Sequence, residues 1–233
     1  ARIDAQGHRT VSTATTDIGP GTYTVMTQIA ADAAGARLQD VTFVLGDSSL
    51  PPAPLQGGSF TVSSVGSAVR QACLELRSKV LEHARRTYPA VASTALEQVV
   101  FADGYLHAGN HRFALADIVA SAPNGVFEVQ VDAEPGAKRK PFATATHSAV
   151  FVEVQVDEEL GSIKVTRVVS AIAAGRVVNP KTARSQILGG VGAHIAADTE
   201  ERGVAERQQS AVAQQHVERQ GKQREAKHLH QED

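Results

Sequence analysis

One cysteine, one methionine and no tryptophan stand among the 233 residues. A lone cysteine, Cys73, leaves no internal disulfide framework and no all-cysteine metal site. It falls within an apolar stripe of helical period and reads as a buried, inert thiol. An excess of charge of one sign is also lacking, since the formal net charge is −2. That balance argues against a protein built to coat nucleic acid or an anionic membrane. The longest apolar runs, such as Val41 to Leu45, fall far short of the ~20 residues that cross a bilayer, so no membrane insertion is expected. Neither an initiating methionine nor an apolar signal region is found at Ala1-Arg2-Ile3-Asp4. Those residues read as the inside of a strand, and the chain is expected to be a segment of something longer.

What is present suffices for a core. Hydrophobic residues make up 42% and charged residues 21%, as in ordinary globular domains. Residues 1–5 and 9–15 alternate around Gln6-Gly7-His8 and predict a hairpin. Thr22 is placed to cap a helix running to about Ala34, with Tyr23, Met26, Ile29, Ala30 and Ala33 on one face and Gly35 as its left-handed terminator. Val41–Leu45 predicts a short buried strand. Val65, Ala68, Val69, Ala72, Leu76 and Val80 recur at helical spacing, with Ser63 or Ser64 as cap and an end before Pro89.

Further on, Val99–Phe101 and Tyr105–His107 predict a hairpin across Asp103-Gly104, followed by a short helix at 113–121. Phe127–Val131, Ser148–Asp157 and Ser162–Ala173 predict strands, the last two joined over Glu158-Glu159-Leu160-Gly161. A helix starts at Asn179-Pro180 and passes through Ala183, Ile187 and Leu188. The expected class is α+β, with mixed sheets and flanking helices.

Two loops draw attention as chemistry. Asp17-Ile18-Gly19-Pro20-Gly21-Thr22 and Gly57-Gly58-Ser59-Phe60-Thr61 each open a helix. Glycine lets backbone N–H groups approach a ligand, and a helix start adds partial positive charge. Thr22, Ser59 and Thr61 add hydroxyl donors. Neither loop is a Walker or a Rossmann motif. Local composition leaves two readings open, an anion cradle or a pair of turns with ordinary caps.

Other polar groups read as solvated surface. His107 and His111 flank Gly109-Asn110, and His228 and His230 lie near the end, with no acidic residue completing a metal set. Lys138-Arg139-Lys140 reads as a loop and Asp157-Glu158-Glu159 as a hairpin tip. Residues 192–233 contain no aromatic and are rich in glutamine and charge. They are expected to form a polar tail, disordered or a solvated helix, beyond a folded region at 1–191.

Longer strings carry a resemblance. Thr16-Asp17-Ile18-Gly19-Pro20-Gly21-Thr22-Tyr23-Thr24-Val25 is followed by Leu45-Gly46-Asp47-Ser48-Ser49-Leu50-Pro51-Pro52, Gly57-Gly58-Ser59 and Ser64-Val65-Gly66-Ser67-Ala68-Val69. A third block runs from Phe151-Val152-Glu153-Val154 through Leu160-Gly161 to Gly175-Arg176-Val177-Val178-Asn179-Pro180-Lys181-Thr182-Ala183-Arg184-Ser185-Gln186-Ile187-Leu188-Gly189-Gly190. In order and spacing these blocks, over about 1–191, resemble the molybdenum-binding subunit of the xanthine dehydrogenase and aldehyde oxidase family. The bacterial aldehyde oxidoreductase branch is the most similar.

The resemblance implies a molybdopterin cofactor carrying molybdenum, a cofactor the family often holds as its cytosine dinucleotide. It implies that Gly19, Pro20, Gly21 and Thr22 lie against the dinucleotide and pterin, and that Gly58, Ser59 and Thr61 border the pterin phosphate. Gln186 matches a glutamine that also bonds the cofactor. Iron–sulfur clusters and FAD are implied only on partner subunits, an iron–sulfur subunit and a FAD subunit. Cytoplasmic placement is expected, with periplasmic export inside a complex as the alternative.

Three departures qualify the match. Many relatives carry glutamine where Pro20 stands, and Pro20 offers neither that side chain nor an N–H. The family's catalytic glutamate segment has no counterpart, so no catalytic residue and no protein ligand to the metal is assigned here. After Val191 the family's apolar, glycine-studded helix gives way to polar text, as a frameshift or truncation near 191 would produce. The expected function is a cofactor-binding part of a molybdenum hydroxylase, not competent alone. The alternative is a cofactor-free scaffold or interaction module.

Overall fold

The computed structural model describes residues 1–134 and 145–193. Lys138-Arg139-Lys140, His228, His230 and all but the first two residues of the 192–233 tail lie outside the described residues. Two compact units are distinguished, one of residues 1–146 with 174–182, the other of 147–173 with 183–233.

In the first unit a four-stranded sheet is built from β1 (Arg2–Asp4), β2 (Arg9–Ser12), β3 (Val41–Val44) and β7 (Val126–Glu128), in the order β3-β2-β1-β7. β1 and β2 form the hairpin over Gln6-Gly7-His8, with Arg2 opposite Thr10. β2 and β3 run parallel, Val11 facing Phe43, so the chain between them must cross over. The crossover is α1 (Thr22–Ala34). Gly35 ends α1 at φ 61°, ψ 45°, and the N–H of Ala36 returns to Ala31 O at 2.9 Å, the left-handed termination that the sequence predicts.

α2 (Thr61–Thr87) has 27 residues and is roughly 40 Å long at 1.5 Å per residue. That length lets it serve two cores. Its first half packs Val65, Val69 and Cys73 with Met26, Ala30 and Ala33 of α1 and with Val11, Val41 and Phe43 of the sheet. Its second half packs Leu76, Val80 and Leu81 against β4 (Val99–Ala102), β5 (Tyr105–Ala108) and α3 (Leu115–Ala120). Gly66 marks the crossing of the two long helices, for a Cβ there would lie 2.8 Å from Ile29 Cδ1.

Several predicted boundaries are corrected. Thr22 is not the cap of α1 but its first residue, buried, after Gly21 at φ 86°. Tyr23 is 49% exposed, though its ring edge meets Phe43. Ser63 and Ser64 lie inside α2, where their hydroxyls donate back to Phe60 O at 2.8 and 3.0 Å. Residues 113 and 114 are not helical: they finish β6 (His111–Ala114), a third strand of the sheet β4-β5-β6. Strand β6 escapes the hydropathy pattern because half of it faces water.

The second unit contains the hairpin of β8 (His147–Asp157) and β9 (Ser162–Ala173). Opposed pairs Val152–Val168, Val154–Val165 and Val156–Ile163 put an apolar face on one side of the ribbon. In the first unit, Asn179 precedes a helix, α4, described over 180–193. Its cap is the Asn179 side chain, whose Oδ1 accepts from the N–H groups of Lys181 and Thr182 at 3.0 and 3.1 Å. Among the described residues no helix is long and apolar enough to cross a membrane.

Candidate functional site

Both glycine loops fall in the first unit and each feeds a helix start, as their composition predicts. A glutamine without a place in the sequence reading ties them together. Gln56 Oε1 accepts from Thr15 Oγ1 at 3.3 Å and from Thr61 Oγ1 at 3.0 Å. Gln56 Nε2 donates to Thr22 Oγ1 at 3.3 Å. Thr15 and Thr22 are 3% and 4% exposed, so their hydroxyls need protein partners, and the single amide provides them. One side chain thus spans from the first residue of α1 to the first residue of α2.

The two loops differ in what they leave free. In the first, Asp17 Oδ1 accepts from the N–H groups of Gly19 and Gly21 at 3.0 and 3.3 Å, and Oδ2 accepts from Tyr23 N–H at 3.0 Å. Burial pushes the Asp17 carboxyl up, but the N–H groups of Tyr23, Gly19, Gly21 and Thr22 together hold it below its ordinary range. With Pro20 lacking an N–H, the donors of Gly19, Gly21 and Tyr23 are committed to Asp17. The cap that Thr22 was expected to provide comes from a carboxylate five residues upstream.

The second loop is arranged otherwise. Gly58 and Ser59 both have positive φ, 62° and 58°, and Phe60 follows at φ −112°. A change of φ sign between neighbours turns successive N–H groups to one side, which forms an anion-binding concavity. The left-handed conformation is a strained one for serine. Phe60, which precedes α2, makes no side-chain cap, and Gly58, Ser59 and Phe60 are exposed, whereas the N–H groups of Gly19, Gly21 and Tyr23 are taken by Asp17.

Parts of the third sequence block arrive at the first loop. Asn179 Nδ2 donates to Gln28 Oε1 at 3.1 Å, and Arg176 meets Asp32 at 3.4 Å across an exposed gap. Thr182 lies so close to Gly21 that a Cβ there would be 2.7 Å from Thr182 Cγ2. Gln186 is exposed on α4 and belongs to the second unit, so it is not grouped with the loops. The sequence marks Asn179 as a helix start but gives Thr182 and Gln56 no role of their own. Asn-Pro before a helix was a legible cap, whereas Gln56, between a proline run and two glycines, carries no periodic signal.

An open cleft of about 490 Å³ beside Lys79, Glu82 and Glu128 contains none of these residues. Lys79 is 18 positions along α2 from Thr61, roughly 27 Å at helical rise. Among the described residues no group of three His, Cys, Asp or Glu side chains is placed to hold a metal ion.

Hydroxyl- and glycine-rich loops thus stand at two helix starts, joined by one amide on an α+β frame. The chain belongs to the molybdopterin cofactor-binding domain family, whose sequence pattern matches residues 1–215. It is 35% identical over 187 residues to the aldehyde oxidoreductase molybdenum-binding subunit PaoC of Escherichia coli strain K12, a match covering 80% of this chain and 24% of that protein. Its fold is similar to that of a Cu,Mo-CO dehydrogenase, with TM-score 0.63 and 20% identity over 81% of this chain and 24% of the other. Quinoline 2-oxidoreductase from Pseudomonas putida 86 gives TM-score 0.58 at 20% identity, covering 82% of this chain and 25% of the other. The chain therefore spans about a quarter of the length of the relatives it matches.

The exposed N–H groups at Gly58–Phe60 suit an oxygen-rich, anionic group, while the Thr61 hydroxyl is engaged with Gln56. The first loop, with its donors on Asp17, does not suit an anion as it stands.

Proposed function

We propose that this chain supplies two walls of a molybdopterin site in a molybdenum hydroxylase: the second loop, Gly58, Ser59 and Thr61, and the first loop, Gly19, Pro20, Gly21 and Thr22. Gln186, in the second unit, belongs to the proposal through the sequence resemblance alone. The carrying observation is the Gln56 amide, which fixes the starts of α1 and α2 at one spacing through Thr22 and Thr61. Two preset helix starts lower the ordering cost of gripping an extended ligand.

In this reading the N–H groups of the second loop hold the anionic end, and Thr61 positions them through its hydrogen bond to Gln56. Gly21 and Thr22 border its neutral part. The bound group would supply the metal centre for oxidation of an aldehyde or N-heterocycle. The cytosine dinucleotide form, an iron–sulfur subunit and a FAD subunit belong to the same proposal, as does placement in the cytoplasm or in an exported complex. No general base is assigned to this chain, so turnover by it alone is not expected.

The closed first loop favours a second reading, a scaffold of this family that binds no cofactor. Purifying the chain from a host that makes molybdopterin separates the two. Molybdenum and pterin near one per chain support the proposal. Their absence from a folded, monodisperse preparation supports the scaffold.

A further inference from the structure

The hairpin of β8 and β9 carries an uncovered apolar face. Alternate residues of a strand share a face, so Val150, Val152, Val154 and Val156 of β8 stand together. Ile163 lies opposite Val156 and Ile172 opposite Ser148, on the same side. These six side chains belong to residues between 37% and 58% exposed. No charged side chain stands among them, and the polar members of the face, Ser148 and Ser170, lie at one end. The other face mixes Phe151 with charge, for Arg167 is opposite Glu153 and Lys164 opposite Gln155. A two-stranded ribbon is marginal in water unless such an apolar face is covered.

We propose that this face is a self-association surface, on which the ribbon of a second copy packs about a two-fold axis. A two-fold contact sets one patch against itself, so the patch must hold nothing that repels its own image. The valine and isoleucine rows meet that condition, since closing them buries no unpaired charge. Their area is sufficient as well. With roughly 80 Å² left open on each of the six, two copies bury about 1,000 Å², the least that a specific interface needs. Two ribbons laid face to face form a two-layer core of four strands in place of two bare hairpins. The surface uses no residue of the two glycine loops, and the inference stands apart from the cofactor reading.

The test is the mass of the full chain by sedimentation between about 1 and 100 μM, the range in which an interface of this size acts. The wild type should pass from monomer to dimer as concentration rises. Val154→Lys puts a charge in the middle of the face and should stay monomeric throughout. Gln155→Lys puts the same charge on the opposite face and should dimerise as the wild type does. A wild type that stays monomeric would overturn the proposal and leave the face to a different polypeptide. A dimer that survives Val154→Lys, or that Gln155→Lys abolishes equally, would overturn it too. Amide exchange of the wild type covers the case in which the Val154→Lys ribbon unfolds. Exchange across 147–173 should slow as concentration rises, and exchange independent of concentration would contradict a buried face.

Discussion

Gln56 Nε2 donates to Thr22 Oγ1 at 3.3 Å, across 34 residues of chain, while its Oε1 accepts from Thr61. The contact joins two loops that are not joined by any hydrophobic pattern. Gln56→Leu keeps the bulk and removes the amide, leaving the buried Thr15 and Thr22 hydroxyls without it. The expected loss is about 1–3 kcal/mol in chemical denaturation, with faster amide exchange at residues 19–24 and 57–62. Unchanged exchange at both loops would show that the spacing is set elsewhere.

Asp17 gives a pH signature. Its carboxyl titrates below the ordinary value in the folded chain, so its contribution to stability is complete above the unfolded value of about 4 and is lost as pH falls through the lower folded value. Asp17→Ala should cost about 1 kcal/mol near neutrality, an amount typical of a helix cap and held down by the group's exposure. Denaturation of wild type and variant at pH 7 and pH 2.5 should show the difference closing at the acid end.

Glycine positions separate backbone strain from crowding. Gly7 and Gly35 both have positive φ, 79° and 61°, but a Cβ at Gly7 has open space while one at Gly35 would lie 1.8 Å from Phe101 O. Gly7→Ala is expected to cost about 1–2 kcal/mol from the left-handed conformation alone. Gly35→Ala must in addition shift α1 against β4, so it should lower the melting temperature by clearly more. Equal effects would contradict the packing described at the end of α1.

Much of this frame is legible in the sequence because its signals are periodic or punctuated. The face of α2 through Val65, Val69, Leu76 and Val80, the terminator Gly35 and the turn Asp103-Gly104 each leave a local mark, and each element forms there. The site is legible only in part. Glycines and hydroxyls announce the loops, but not where their N–H groups point. That depends on Asp17 reaching forward to Tyr23 and on Gln56 reaching back to Thr22, contacts made by flexible polar side chains with no required spacing. Thr22 illustrates the difference: as a hydroxyl at a helix start it reads as a cap, yet it is buried as a partner of Gln56 because Asp17 already caps the helix.

Cys73 tests the junction of α1 and α2. It is 1% exposed, and burial pushes its thiol up to about 11, against smaller opposing effects of the chain's amino terminus, Arg9 and Arg77. A thiol-specific disulfide reagent at pH 8 should therefore leave the native chain unlabelled and react fully once it is unfolded in denaturant. Stoichiometric labelling within mixing time would place Cys73 at a surface.

The central claim is that the start of α2, held by Thr61 and Gln56, grips the cofactor. Its most direct test is the pterin content per chain of wild type, Thr61→Val and Ser67→Ala, all purified from one cofactor-producing host. Ser67 lies on the exposed side of the same helix and donates only to Ser63 O. The account expects wild type and Ser67→Ala to carry pterin equally and Thr61→Val to retain less than about half, since losing the Thr61–Gln56 hydrogen bond, worth about 1 kcal/mol, loosens the start of α2. Equal pterin in all three folded proteins would contradict it.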